Sequence, residues 1–205
     1  NTNLRLALEG IHQQFTDAPV LGSLINPEIG RAWGSLFEQK WEDVEPMLRD
    51  ALSGEKDDVR AEMGVVAHGV TKAAELLSSK YTIITTNVPY LGRGKQIQAL
   101  MDYCERYYGD AKSDLATVFL RRCIDLSDEN GTVLPQNWLF LSSYESLRRR
   151  LLKECAWELI ARLGEGAFDS TSAAGAFAAL LIVSNYADPG IHVIHGLDAA
   201  DKKGS

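Results

Sequence analysis

A short run of β-branched residues at 81–86 is the feature that most constrains the fold, because it separates two kinds of pattern in this chain of 205 residues. Upstream of the run, apolar residues recur every three to four positions, which is typical of amphipathic helices. Downstream, candidate strands and helices alternate. The run itself predicts a buried strand that delivers Asn87 at its carboxyl end.

The first 80 residues predict a helical insert or hairpin. Apolar residues at helical spacing predict a helix that starts near Leu4 and longer helices at 33–48 and 57–78. Val66 and Ala74 fall on the apolar face of the last of these helices. The segment 17–27 predicts a loop between the first two.

Residues 81–185 predict an α/β unit, and residues 186–205 predict a tail or the start of a next segment. Helices are expected at 96–107 and 114–126, strands at 131–135, 157–163 and 177–184, and a helix up to Glu154 that starts from a capping box at 142–145. Since crossover helices join parallel strands, we expect a mainly parallel sheet. Asn87 and the loop 164–169 should then share one rim, where ligands of such sheets bind.

Composition narrows the class of protein further. The longest apolar stretches, such as 178–183, are far shorter than the roughly 20 residues that span a bilayer. Three widely spaced cysteines without a Cys-x-x-Cys pair favour a reduced, cytoplasmic setting. A formal net charge of −7 disfavours the wrapping of DNA by this chain alone. The chain starts without a methionine or a leader, which we interpret as a cut.

The candidate catalytic element is Asn87-Val88-Pro89-Tyr90. The amide oxygen of Asn87 and the backbone carbonyl of Val88 are two acceptors that can hold the hydrogens of a planar amino group. Pro89 restrains Val88 to extended conformations, and Tyr90 can stack on a base. Such acceptors would pyramidalise an amino nitrogen whose lone pair is delocalised into a base. A base in a duplex must be flipped out to reach them.

The tetrapeptide and three later segments together resemble adenine-N6 DNA methyltransferases of restriction-modification type. The tetrapeptide is similar to the family motif Asn-Pro-Pro-Tyr and departs from it at Val88. Later segments are similar to the family in order and spacing, namely 114–120, 131–139 and 144–148. This resemblance covers residues 81–185. A narrower resemblance, to the methyltransferases of BREX phage-defence systems, rests on 18–27, the helical insert and 87–94.

The resemblance implies a partial Rossmann-like class I fold that uses S-adenosyl-L-methionine, with residues 81–185 as the C-terminal half of the catalytic domain. Asn87 and the carbonyl of Val88 would hold the adenine amino group, and Phe168 would join Tyr90 around the flipped base. Phe119 would lie against the adenine of the cofactor. The family's cofactor loop and target-recognition domain are expected to lie outside this chain, so the chain is expected to be inactive alone and to reach DNA through other domains.

Two alternative functions stay open at this point. The same tetrapeptide suits a glutamine amide or an RNA base as methyl acceptor. A degenerate methyltransferase fold, kept for binding DNA or a partner, is the other alternative, because Val88 lacks the locked φ of a proline. An open edge at the strand 81–86 would favour self-association.

Two other groups of residues are interpreted without a function. His192 and His195 have no further ligand set nearby, so no metal site is expected there. Arg148-Arg149-Arg150 predicts a solvated helix face, because consecutive helical positions spread around the cylinder instead of forming one stripe.

Overall fold

A computed structural model describes residues 15–27, 58–164, 177–185 and 193–200. The chain divides into two compact units, Asn1–Ser79 and Lys80–Ser205. The helices predicted near Leu4 and at 33–48 lie outside the described residues. None of the helices in the described part has the length and apolar character that a membrane span requires.

The first unit contains two described helices, α1 at Ala18–Leu21 and α2 at Asp58–Ser78, and a 3-10 turn at Gly22–Leu24. The loop predicted at 17–27 is therefore wrong in part, because Pro19 is placed in the first turn of α1, where its missing N–H costs nothing. The φ of +51° at Gly22 then ends this helix.

Helix α2 confirms the predicted helix at 57–78 to within one residue. Its apolar face is only partly buried, since Ala74 is fully buried whereas Val66 is 58% exposed. The helix ends where the hydroxyls of Ser78 and Ser79 donate to the carbonyls of Ala74 and Glu75, one turn back.

The second unit is built on one five-stranded sheet with the order β1-β2-β4-β3-β5. The strands are Tyr81–Asn87, Ser127–Pro135, Ala156–Gly164, Ala178–Ser184 and His195–Asp198, numbered β1 to β5 in chain order. β1 pairs with β2 in parallel, and so does β3 with β5, whereas β4 is antiparallel to both β2 and β3. Four strands thus point one way and β4 points the other.

The predicted mainly parallel sheet is wrong, because the observed sheet is mixed. The predicted α/β class is confirmed. β3 and β4 are neighbours both in sequence and in the sheet, which is the arrangement of an antiparallel pair. Residues His195–Asp198, from the predicted tail, add the fully exposed strand β5 to the same sheet.

The predicted burial of the first strand is wrong. Within the described residues β1 pairs only with β2, and Ile83 is 57% exposed. β-branched residues suit an edge as well as a central strand, so composition alone does not distinguish the two positions. The buried centre of the sheet is β4, where Ala178, Leu181 and Val183 are inaccessible to solvent.

Three further helices confirm the predicted ones: α3 at Gln98–Tyr107, α4 at Leu115–Leu126 and α5 at Glu145–Glu154. Helix α4 packs on β2 and is almost entirely buried. The capping box predicted at 142–145 is wrong, because Ser142–Tyr144 forms a 3-10 turn and no side chain caps α5. The burial of Tyr144 favours this turn over a solvated cap.

The stability of this unit should depend on the side chains that fill the sheet core. Leu134 on β2 is fully buried, whereas Leu152 on α5 is 57% exposed. Leu134→Ala is therefore expected to lower the free energy of unfolding by about 2–5 kcal/mol, because it leaves a cavity. Leu152→Ala, the matched control, should change it by less than about 0.5 kcal/mol. Urea denaturation measures both, and equal effects would contradict this packing.

Candidate active site

Polar and apolar side chains gather at the rim where β1, β2 and β3 have their carboxyl ends. Asn87 ends β1 opposite Val133, and Pro135 and Gly164 both pair with Ala178. The reversal of β4 brings its amino end to this same rim. Asn87 and Gly164 therefore lie at the same rim of the sheet, as predicted. Phe168 lies outside the described residues.

The tetrapeptide leaves the sheet with alternating exposure. Asn87 and Pro89 are exposed, whereas Val88 is 4% exposed. The N–H of Val88 donates to the carbonyl of Val133 at 3.4 Å, which continues the β1–β2 pairing by one residue. Burial and this hydrogen bond restrain Val88 in place of the proline ring that the family motif would carry.

The residue after the tetrapeptide is tied to the start of helix α4. The N–H of Leu91 donates to Oδ1 of Asp114 at 3.3 Å, and the N–H of Ala116 donates to the same oxygen at 2.9 Å. The carbonyl of Leu91 accepts from the N–H of Leu115 and from the side-chain amide of Gln96, each at 3.0 Å. One carboxylate thus caps α4 and holds the chain that follows Tyr90.

A second set of contacts ties the same segment to helix α3. The N–H of Arg93 donates to the carbonyl of Ser113 at 3.1 Å. Its guanidinium pairs with Glu105, which also pairs with Lys112. The hydrogen bond from Lys112 and the charges of Lys112 and Arg93 lower the pKa of Glu105. Leu91 and Arg93, which follow the tetrapeptide, are therefore both held by residues of the surrounding fold.

Tyr90 lines a cavity beside this segment. The cavity has a volume of about 520 Å³, and its lining is Tyr90, Gly92, Asp114, Pro135, Gln136, Asn137, Phe140, Leu141 and Phe177. Burial, and secondarily the charge of Asp114, raises the pKa of Tyr90 to about 12. The phenol is therefore neutral at physiological pH. Among the described lining residues only Asp114 carries a formal charge.

One side of the cavity is formed by residues 136–141, which follow β2. The N–H of Gln136 donates to the carbonyl of Phe177 at 2.8 Å, which joins this segment to the start of β4. Nη1 of Arg148 donates to the carbonyls of Trp138 at 2.6 Å and Leu141 at 2.7 Å. Trp138 is 1% exposed and anchors the segment in the core.

Comparison with known proteins decides the family. The model of the Eco57I restriction-modification methylase family matches residues 3–168. The chain is 33% identical over 172 residues to the adenine-specific methyltransferase PglX of Lacticaseibacillus casei (strain Zhang), which covers 79% of the chain and 13% of PglX.

A second relative, the adenine-specific methyltransferase BrxX of Escherichia coli O9:H4 (strain HS), is 33% identical over 162 residues, which covers 77% of the chain and 13% of BrxX. The chain belongs to the Eco57I restriction-modification methylase family. The predicted family of restriction-modification adenine methyltransferases is thereby confirmed. The chain spans 13% of the length of these two relatives.

Solved structures include two similar restriction-modification proteins. A modification subunit of a putative type I restriction enzyme from Vibrio vulnificus YJ016 is 22% identical with a TM-score of 0.43, over 52% of this chain and 23% of that one. The Type ISP enzyme LlaBIII is 18% identical with a TM-score of 0.48, over 72% of this chain and 12% of that one. Membership of the methylase family rests on the sequence matches.

In this methylase chain, the predicted site residues do not all meet in the cavity. Tyr90 lines it, whereas Asn87 and Phe119 are not among its lining residues. Phe119 lies on α4, where it is the only residue between Leu115 and Ile124 that is not buried. Phe119 is thus a partly exposed aromatic side chain on a largely buried helix.

Two aromatic side chains of this chain escaped the sequence interpretation. Phe140 and Phe177 line the cavity with Tyr90 and are 73% and 44% exposed. The signal available for Phe140 was Trp138-Leu139-Phe140-Leu141, an apolar group that starts three residues after β2 ends, where a solvated turn would carry polar residues.

The solvated helix face predicted at 148–150 is observed for two of the three arginines: Arg149 and Arg150 are exposed and pair with Glu145 and Glu154. Arg148 departs from it, because it is partly buried and donates to the carbonyls of Trp138 and Leu141. Within the part of the chain that the structure describes, no group of acidic, histidine and cysteine side chains could hold a metal ion.

The charge of Asp114 can be separated from its hydrogen bonds. Asp114→Asn keeps an acceptor oxygen for Leu91 and Ala116 but removes the negative charge beside Tyr90. The pKa of Tyr90 is expected to fall from about 12 yet stay above its ordinary value of 10.0, because burial, the larger cause, remains. Ultraviolet titration of Asp114→Asn and wild type, each compared with its Tyr90→Phe counterpart, measures this pKa. A value unchanged by the substitution would contradict the electrostatic contact.

Proposed function

We propose that this chain supplies the catalytic tetrapeptide of a DNA adenine-N6 methyltransferase. The observation that carries the proposal is the tetrapeptide itself at the sheet rim, with Asn87 exposed, Val88 fixed and Tyr90 in a cavity. Membership of the restriction-modification methylase family supports it. The relatives PglX and BrxX are adenine-specific methyltransferases by name, which supports adenine as the substrate base.

The proposed chemistry starts from the poor nucleophilicity of the adenine amino group, whose lone pair is delocalised into the ring. The side-chain oxygen of Asn87 and the carbonyl of Val88 accept hydrogen bonds from its two hydrogens. These bonds pull the nitrogen out of conjugation and localise its lone pair for attack on a methyl carbon. The contribution is electrostatic and depends on acceptors that are already in place.

Fixed acceptors require a restrained backbone, and Val88 meets this requirement without a proline. Its side chain is buried and its N–H extends the β1–β2 pairing, so its carbonyl cannot rotate freely. Pro89 further disfavours helical conformations of Val88. The departure from the family motif is therefore compatible with catalysis, and the degenerate alternative is not needed to explain it.

The cavity beside Tyr90 suits a flipped base. Its volume of about 520 Å³ falls within the range of ligand pockets, and its aromatic lining provides stacking surfaces. A neutral Tyr90 adds no charge next to an uncharged base. Phe168 remains the proposed second aromatic contact around that base.

S-adenosyl-L-methionine is the cofactor implied by the family, and it supplies the electrophilic methyl group when bound. Phe119 would lie against its adenine, because this ring is partly exposed on a largely buried helix. The amino nitrogen is cationic after methyl transfer, so it can lose its proton to water without a dedicated base.

DNA contact beyond the base is proposed to come mostly from other domains, because the net charge of −7 gives this chain no general attraction for phosphates. Residues 1–80 are proposed to form the helical insert and 81–185 the C-terminal half of the catalytic domain, in a cytoplasmic protein. The exposed outer edge of β1 is proposed as a surface for strand pairing with another chain.

Replacement of Asn87 tests the function directly. Asn87→Ala should lower methyl transfer from labelled S-adenosylmethionine to DNA by on the order of 10²–10³-fold, as for other preorganised catalytic hydrogen-bond groups. Binding of the cofactor and of DNA should be kept. Thr82→Ala, on an exposed position of the same strand, is the matched control.

The outcome also separates the candidate substrates. Label on adenine N6 in DNA that disappears in Asn87→Ala supports the proposal. Label on RNA or on a glutamine side chain, with none on DNA, would replace it by the other methyl acceptors. Cofactor binding without any transfer by the wild-type intact protein would favour a degenerate fold.

The variant Val88→Pro tests how the carbonyl is held. Proline removes the N–H that donates to Val133, so the free energy of unfolding should fall by about 1 kcal/mol. The turnover number should stay close to that of wild type, because burial already restrains this residue. Urea denaturation and methyl-transfer kinetics measure the two effects. A rise in turnover from near zero would instead indicate that Val88 marks a degenerate site.

A further inference from the structure

Phe140 is the most exposed aromatic side chain in the described part of the chain, at 73%. It stands at the cavity that Tyr90 lines, with Leu141 at 50% and Phe177 at 44% exposure beside it. We name Phe140, Leu141 and Phe177 the aromatic lip. Exposed apolar side chains that cluster at a cavity indicate a binding surface, whereas apolar side chains that are exposed singly do not.

The lip is held rigidly by backbone hydrogen bonds. The N–H groups of Phe140 and Leu141 both donate to the carbonyl of Asn137, at 3.1 and 3.0 Å. The bond from Gln136 to the carbonyl of Phe177 joins the two sides of the lip. The backbone at Phe140 is therefore fixed although the side chain is exposed, so binding of a ligand there costs the protein little backbone conformational entropy.

Arg148 adds a clamp on both sides of Phe140. Its Nη1 donates to the carbonyl of Trp138, two residues before Phe140, and to the carbonyl of Leu141, one residue after it. Trp138 is itself packed against Trp157, with ring centroids 5.6 Å apart. The guanidinium thus fixes a short exposed segment to the core and directs its charge to carbonyl oxygens.

We propose that Phe140 is a base-contacting residue at the mouth of the cavity and that Arg148 is the positioning residue that holds it there. The inference rests on the proposed function and extends it by naming two residues that act on substrate binding instead of the methyl-transfer step. A phenyl ring contacts a nucleobase through its face, which favours unpaired bases whatever their hydrogen-bonding pattern. The ligand is the extruded base of a DNA duplex.

Phe140 is tested in the intact natural protein with a duplex that contains the adenine methylated by wild type. Phe140→Ala should raise KM for DNA, and the Kd for the same duplex, by about tenfold, which corresponds to one lost base–aromatic stack. The turnover number at saturating DNA should change little. Phe140→Tyr, which keeps the ring, should restore both values. Leu152→Ala is the matched control, since Leu152 is 57% exposed on α5 and outside the cavity lining.

Arg148 is tested by a double-mutant cycle with Phe140. Arg148→Met removes both hydrogen bonds and should weaken DNA binding nearly as much as Phe140→Ala. In the Phe140→Ala background it should add little, because a positioning residue has no effect once its target is gone. Arg149→Met is the control, since Arg149 is 74% exposed and pairs only with Glu145 among the contacts described.

The set of outcomes distinguishes failure of the inference from failure of the proposed function. A wild-type protein that methylates DNA, with a Phe140→Ala variant that binds DNA as well as Leu152→Ala does, overturns the base contact alone. Effects of Arg148→Met that add fully to those of Phe140→Ala overturn the positioning role. Absence of DNA methylation by wild type overturns both proposals. Thermal melting and cofactor affinity report misfolding, and both should match wild type in Phe140→Ala because this ring is exposed.

Discussion

The rest of the candidate site depends on the hydrogen bonds that the carboxylate of Asp114 accepts. A single oxygen, Oδ1, accepts from the N–H of Ala116 at the start of α4 and from the N–H of Leu91 just after the tetrapeptide. Because α4 is almost entirely buried and packs on β2, this carboxylate connects the tetrapeptide to the core of the fold. Its charge is also the second cause, after burial, of the raised pKa of the neighbouring Tyr90 phenol. The helix cap, the course of the chain and the electrostatics of the cavity thus share one group.

The direction of β4 brings Phe177 to the rim at which the candidate site lies. Since β4 alone runs against the other strands, its amino end meets the carboxyl ends of β2 and β3, and Phe177 reaches the cavity that Tyr90 lines. The segment 136–141 contributes to the lining of the same cavity and is fixed by Arg148. The proposed acceptors Asn87 and Val88, at the end of β1, and the aromatic residues Phe140 and Phe177, next to β2 and β4, therefore lie at one rim although they are far apart in sequence.

The sequence predicted the parts of this arrangement that depend on local pattern. Periodicity placed α2 to α5 closely, and the tetrapeptide with its following segments identified the family. The open edge expected at β1 agrees with its pairing to β2 alone within the described residues, but the predicted burial of this strand was wrong, since β-branched residues such as Ile83 suit either an edge or a central position. The reversal of β4 could not be predicted, because strand direction depends on pairing partners distant in sequence. Phe140 was missed because its role depends on a turn clamped by Arg148, a contact between residues that no short-range pattern relates. The predicted contacts of Phe168 and Phe119 remain predictions.

The account's central claim is that Asn87 and the carbonyl of Val88 hold the amino group of an extruded adenine at this rim. A structure of the intact protein with a DNA duplex and an unreactive analogue of S-adenosylmethionine measures this directly. The account predicts that the adenine N6 lies within hydrogen-bond distance of both acceptors, with the base against the ring of Tyr90. An adenine that stays stacked in the duplex, or an extruded base bound away from Asn87, would contradict it.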